Sequence, residues 1–216
     1  MRLYLSSFRL GNQPQHLVQL VAERRRAVVV VNSCDLLEEE QRRARVVQEI
    51  EALRSLGISA EELDLRRYFA EPHAGNELRR VLAECVLIWV RGGNPFVLRR
   101  ALKASGLDLI VRDLLGQDAI VYGGYSAGPA MLTPSLHGVE LIDDPVAVPP
   151  GYDPAPIWHC LGILPYALAV HYKSPHPESA ATDESVRYFI DHHMLFKALR
   201  DGEAIVVDGP DEQIVG

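Results

Sequence analysis

Apolar residues fall into two patterns along the chain: short unbroken runs, and longer stretches with apolar positions at helical spacing. The runs predict buried strands over residues 3–6, 27–32, 85–90, 119–122, 164–172 and 204–208. The periodic stretches predict helices over 16–24, 38–56, 76–84 and 183–200, with another opened by Pro95. In the longest helix Val46, Val47, Ile50, Leu53 and Leu56 recur every three or four residues, and Gly57 is a natural stop. Residues 58–65 predict a strand with a helical or turn insertion. Residues 143–159 hold Pro145, Pro149, Pro150, Gly151, Pro154 and Pro156, which predicts a long loop, with room for a short β excursion.

Buried strands alternating with helices imply an α/β fold: a largely parallel sheet with helices on both faces and right-handed crossovers. A length of 216 residues suits one domain over 1–216. In such sheets, sites form beyond the carboxyl ends of strands. Two predicted strand ends carry notable sequence, Arg91-Gly92-Gly93-Asn94-Pro95 and Gly123-Gly124-Tyr125-Ser126-Ala127-Gly128.

Charge narrows the partners. The net charge is -7, and the only basic clusters, Arg24-Arg25-Arg26 and Arg42-Arg43, sit beside acidic residues and read as solvated faces. Nucleic acid is therefore not an expected partner. No run approaches a membrane span, and the first residues lack a signal-peptide pattern. Cys34, Cys85 and Cys160 have no paired spacing, which points to reduced thiols and a cytoplasmic setting.

Gly124-x-Ser126-x-Gly128 fits a nucleophile elbow, where a sharp strand-to-helix turn demands small neighbours. Gly-rich turns also bind phosphate, but no Gly-Lys-Ser/Thr accompanies this one. The N–H of Ala127 is one candidate oxyanion donor, and that of Gly93 a second. Among eight histidines, His171 ends a predicted apolar strand and is the candidate base. His176 is its close competitor; His192 and His193 are expected exposed in a helix. Asp201 is the candidate acid, with Glu140, Asp143 and Asp144 as rivals that spacing does not rank. Asn94 and Arg187 are candidate substrate contacts.

Together these residues resemble the dipeptidase E (aspartyl dipeptidase) family of serine peptidases, to which cyanophycinases are related. The points of likeness are Gly92-Gly93-Asn94-Pro95-Phe96, Gly124-Tyr125-Ser126-Ala127-Gly128, Leu164-Pro165 leading to His171-Tyr172, and Leu199-Arg200-Asp201-Gly202. The resemblance implies a class I glutamine amidotransferase-like fold. It implies a triad in the order Ser126, His171, acid, with Asp201 where the best-matched relative has Glu. It also implies Gly93 and Ala127 as the oxyanion pair, small peptides as substrates, and no metal or organic cofactor. A homodimer is left open. One departure stands out: the family's Thr-Arg-Glu stretch, whose Arg grips a substrate Asp, reads Thr182-Asp183-Glu184 here. Strict preference for N-terminal Asp is not expected. An esterase or amidase, or a binding module without activity, could carry the same residues.

Overall fold

A computed structural model describes residues 1–23, 25–69 and 73–216. Arg24, the predicted end of the first helix and part of the first basic run, lies outside the described residues. Strands β1 (Arg2–Ser6), β2 (Arg26–Val30), β3 (Ser59–Glu62), β4 (Leu87–Val90), β5 (Val121–Tyr125), β8 (Ala204–Asp208) and β9 (Asp211–Val215) form one seven-stranded sheet. The order is β3-β2-β4-β5-β1-β8-β9; the first five strands are mutually parallel, and β8 and β9 add an antiparallel edge.

The inner strands bury both faces, because their side chains alternate into two cores, while the edge strands β3 and β9 are half-buried or exposed. Tyr4, Val29, Leu87, Trp89 and Val121 pack under helices α1 (Gln15–Val21) and α2 (Glu39–Ser55). Leu3, Leu5, Val28, Val30, Ile88 and Tyr122 pack under α3 (Ala74–Ala83), α4 (Pro95–Ser105) and α5 (Leu107–Gly116). This is the expected α/β architecture.

Three differences from the sequence-based expectation matter. The run at 164–172 yields only β6 (Ala167–Ala169), which pairs in parallel with β7 (Phe196–Ala198) as a separate two-stranded sheet. Pro165 precedes it and His171 follows in a left-handed conformation, so the run cannot extend as a ladder. The helix predicted over 183–200 is α7 (Ser179–Asp191); it ends where His193 turns left-handed, so His192 and His193 sit, exposed, beyond its end. The helix after Ser126, α6 (Ala127–Ala130), is a single turn.

Arg42 also departs from its expected solvated role. It is buried and pairs with Asp35 at 2.5 Å and Glu62 at 2.7 Å. The segment 143–159 contains no strand, only an isolated bridge between Ser135 and His159. Its shape is set from below by the buried Arg100, whose guanidinium donates to the carbonyls of Pro145 (2.7 Å), Pro154 (3.1 Å), Ala155 (3.2 Å) and Ala147 (3.4 Å).

Candidate active site

Three adjacent strands end at one place. In the parallel ladder Val90 lies opposite Gly124, and Ser6 opposite Tyr125. The carboxyl ends of β4, β5 and β1 therefore bring Gly92-Gly93, Ser126 and Ser7-Phe8 side by side. Strand β8 runs antiparallel to β1, so its start lies at the same edge, Ala204 opposite Ser6. That is why Asp201, distant in sequence, arrives beside Ser7.

Ser126 occupies the turn between β5 and α6 with φ 52° and ψ -110°. A non-glycine residue there is strained, and tight surroundings must hold it. A Cβ on Gly124 would lie 2.2 Å from the Val90 carbonyl oxygen, and one on Gly128 2.4 Å from the same atom. Only glycine permits this approach of the turn to β4. The N–H groups of Gly93 and Ala127 have no hydrogen-bond acceptor among the described residues. For Ala127 this follows from its place at a helix start. Asn94 is the cap of α4: its side-chain oxygen accepts from the N–H groups of Phe96 and Val97, and its amide donates to the Asp144 carbonyl.

His171 is buried, with φ 59°. Its Nδ1 stands 2.6 Å from Asp201 Oδ1. The β6–β7 pair sets this contact, because the Leu199 N–H donates to Ala169 and the Tyr172 N–H to Leu199, holding the two chain segments together. Ser7, a residue the sequence did not single out, ties the arrangement: its Oγ donates to Asp201 Oδ1 at 2.9 Å and accepts the His171 N–H at 2.8 Å. Ser174 Oγ accepts the Asp201 N–H at 2.7 Å. Burial lowers the His171 pKa below the ordinary histidine value, while the Asp201 carboxylate opposes that shift. Burial thus favours the neutral imidazole, the form a general base requires.

His176 stacks on His171 with ring centroids 3.6 Å apart and planes within 6°, and Phe8 meets both rings edge-on. Glu178 stands 3.8 Å from His171 Nε2. These three side chains place possible ligand atoms within 4.8 Å of one another. Parallel rings at that spacing cannot both direct a lone pair at one ion, so the trio is not shaped as a metal site.

Two cavities meet at Ser126. One, of about 290 Å³, is lined by Ser126, His171, His176, Gly92, Gly93, Phe8, Arg9 and Arg45 among others. The other is small, about 30 Å³, and mostly apolar: Pro95, Ala127, Val139, Leu168 and Val170 surround Ser126, Asp143 and Glu178. Burial, together with the negative Glu178, pushes the Asp143 carboxyl up to about 7. No hydrogen bond joins Ser126 to His171 among the described residues. Arg187 is exposed, pairs with Glu184 at 2.6 Å and lines neither cavity; Asp183 pairs with Lys173 at 2.5 Å.

Comparison with known proteins sharpens this picture. The model of peptidase family S51 matches residues 12–215. The chain belongs to this family. As an S51 member it is 32% identical over 149 residues, 67% of its length, to a Drosophila melanogaster protein named a probable alpha-aspartyl dipeptidase. It is 31% identical over 150 residues, again 67% of its length, to peptidase E of Streptomyces coelicolor. The matches span 59% and 57% of those two relatives, less than two thirds of either. A crystal structure from Listeria monocytogenes EGD-e, provisionally named peptidase E, superposes with a TM-score of 0.79 at 21% identity. That superposition covers 99% of this S51 chain and 97% of the Listeria one, and it shows the common fold.

Proposed function

We propose that this protein is a serine peptidase of short peptides, built as one domain over residues 1–216, with Ser126 as nucleophile. The observation that carries this reading is the strained Ser126 turn sharing a cavity with a buried His171 whose Nδ1 lies 2.6 Å from Asp201. In the proposed reaction Ser126 Oγ attacks the scissile carbonyl carbon and its proton passes to His171 Nε2. Asp201 holds the Nδ1–H tautomer and stabilises the imidazolium that forms. The unoccupied N–H groups of Gly93 and Ala127 receive the oxyanion. The C–N bond then breaks, and the leaving amine takes the proton from His171. Water, activated by the same imidazole, hydrolyses the acyl-enzyme.

The leaving amine must approach His171, so the larger cavity takes the leaving residue. The small apolar pocket then meets the tip of the acyl residue, and Glu178, which lines it, supplies negative charge suited to a free α-ammonium. No arginine lines that pocket among the described residues, and Asp183 points its charge to Lys173. This supports a substrate range not confined to N-terminal Asp. Labelling with a fluorophosphonate probe, followed by kcat/KM on a panel of X-Leu dipeptides including Asp-Leu, Ala-Leu and Met-Leu, tests the proposal. Labelling that is lost in Ser126→Ala, with cleavage of Ala-Leu or Met-Leu at least comparable to Asp-Leu, is the expected result. Absence of labelling and of cleavage would end it.

A further inference from the structure

The walls of the larger cavity carry two cations with no structural duty. Arg42, Arg66, Arg91 and Arg99 each pair with a carboxylate. Arg9 and Arg45 do not: both are exposed, and among the described residues neither forms an ion pair or hydrogen bond. Arg9 leans over the Phe8 ring, 5.0 Å from its centroid, and that ring abuts His171. Arg45 projects from α2 one turn before Gln48, and both line the same cavity. Other surface arginines, such as Arg43 and Arg80, are also unpaired among the described residues; what sets Arg9 and Arg45 apart is that they line the cavity of Ser126 and His171 with no ion pair on either guanidinium.

The positive charges around Ser126 lie on one side. Arg9 and Arg45 line only the larger cavity, Asp143 only the small one, and Glu178 and Ser126 line both. A free dipeptide is likewise one-sided about its amide: ammonium on the acyl side, carboxylate on the leaving side. The carboxylate of a one-residue leaving group sits about one Cα step, ~3.8 Å, beyond the scissile bond, within the span of a long arginine side chain. The other charged groups facing this cavity are Arg91, which is held by Glu49, and Glu178, which lies against His171. The guanidinium fork matches a carboxylate bidentately.

We propose that Arg9 and Arg45 bind the free α-carboxylate of the leaving residue, so that cleavage is selected one residue from a C-terminus. The inference rests on the proposed roles of Ser126 and His171. The experiment takes the best-cleaved X-Leu dipeptide and its C-terminal amide, X-Leu-NH₂, and measures kcat/KM for wild type, Arg9→Gln, Arg45→Gln and the double variant. Fluorophosphonate labelling rates are measured alongside, as a readout of the Ser126 machinery. The free acid is expected to be preferred at least about 10-fold by wild type, mainly through KM, with the ratio falling towards one in the double variant and labelling retained. Equal cleavage of acid and amide by wild type overturns the inference while leaving the peptidase reading intact. So does an acid preference that survives the double substitution, or a loss that is equal for both substrates. A preference for Asp at X that disappears in the double variant, with acid and amide alike, would reassign these arginines to the acyl side chain. A protein that neither labels nor cleaves any peptide fails at the earlier step and takes this inference with it.

Discussion

Asp201 and Asp143 show how position decides what a carboxylate does. Asp201 accepts from Ser7 and faces His171 Nδ1 at 2.6 Å, whereas Asp143 lies in the small pocket beside Glu178. Sequence spacing left these two as rivals, because their separation depends on β8 folding back against β1. If Asp201 orients the base, Asp201→Asn lowers kcat by about 10³–10⁴ with the fold retained, since an amide cannot stabilise an imidazolium; steady-state kinetics with a circular dichroism control checks this. Ser126→Ala should remove on the order of 10⁶ of the rate. His171→Ala should approach that loss, and His176→Ala should fall well short of it, because His176 only stacks on the proposed base and its Nδ1 accepts the Glu178 N–H. Parallel assays of the two histidine variants decide it; equal losses would assign a joint role to the stacked pair. Ser7 had no legible signal: a serine at a strand end is ordinary until the fold sets it between Asp201 and the His171 N–H.

At the scale of elements, the parallel strands and the long helices were readable from hydrophobic pattern alone, and β8 was read to the residue. The misreadings share a cause. Residues 164–172 and 183–200 look continuous in sequence, but left-handed positions at His171 and His193 interrupt them, and neither is a glycine that would announce the break. Helix α5 and strand β9 were not anticipated. The match of β4 to β5 depends on Gly124 and Gly128, whose absent side chains admit the Val90 carbonyl. Gly124→Ala should therefore destabilise the fold by about 1–3 kcal/mol or more through overpacking, visible as a lower Tm and as lost fluorophosphonate labelling. A fully stable, fully labelled variant would mean that β4 can retreat without moving Ser126.

For the whole molecule, charge and burial set the response to pH. Asp143 holds its proton up to about 7 in the folded chain, whereas an unfolded aspartate releases it near 4. The stabilising effect of the protonated form is thus complete below pH ~4 and is lost as pH rises through the folded value. Asp143→Asn, which cannot ionise, should gain Tm over the parent protein progressively between pH 5 and 8, by on the order of a few degrees. Thermal melts at three pH values test the sign; a gap that closes with rising pH would contradict it. No helix among the described residues is long and apolar enough to cross a membrane. The overall fold class followed from the alternation of strands and helices. The Proline-rich segment 143–159 did not reveal its conformation, because what shapes it is Arg100, a residue in a different helix.

That buried guanidinium has a consequence in time. To swing outward, the segment would have to release four carbonyls from Arg100 and leave a charge without partners in the core, at a cost of several kcal/mol. Such openings belong to rare, slow fluctuations of the native state, not to the rhythm of turnover. The wall bearing Asp143 then behaves as a fixed template, which leaves the exposed side, where Arg9 and Arg45 stand, as the route that the proposed reaction would use. Slow hydrogen exchange at the buried Tyr152, whose N–H donates to the Pro149 carbonyl, unchanged by a bound inhibitor, would be the mark of a pocket that waits in its final shape.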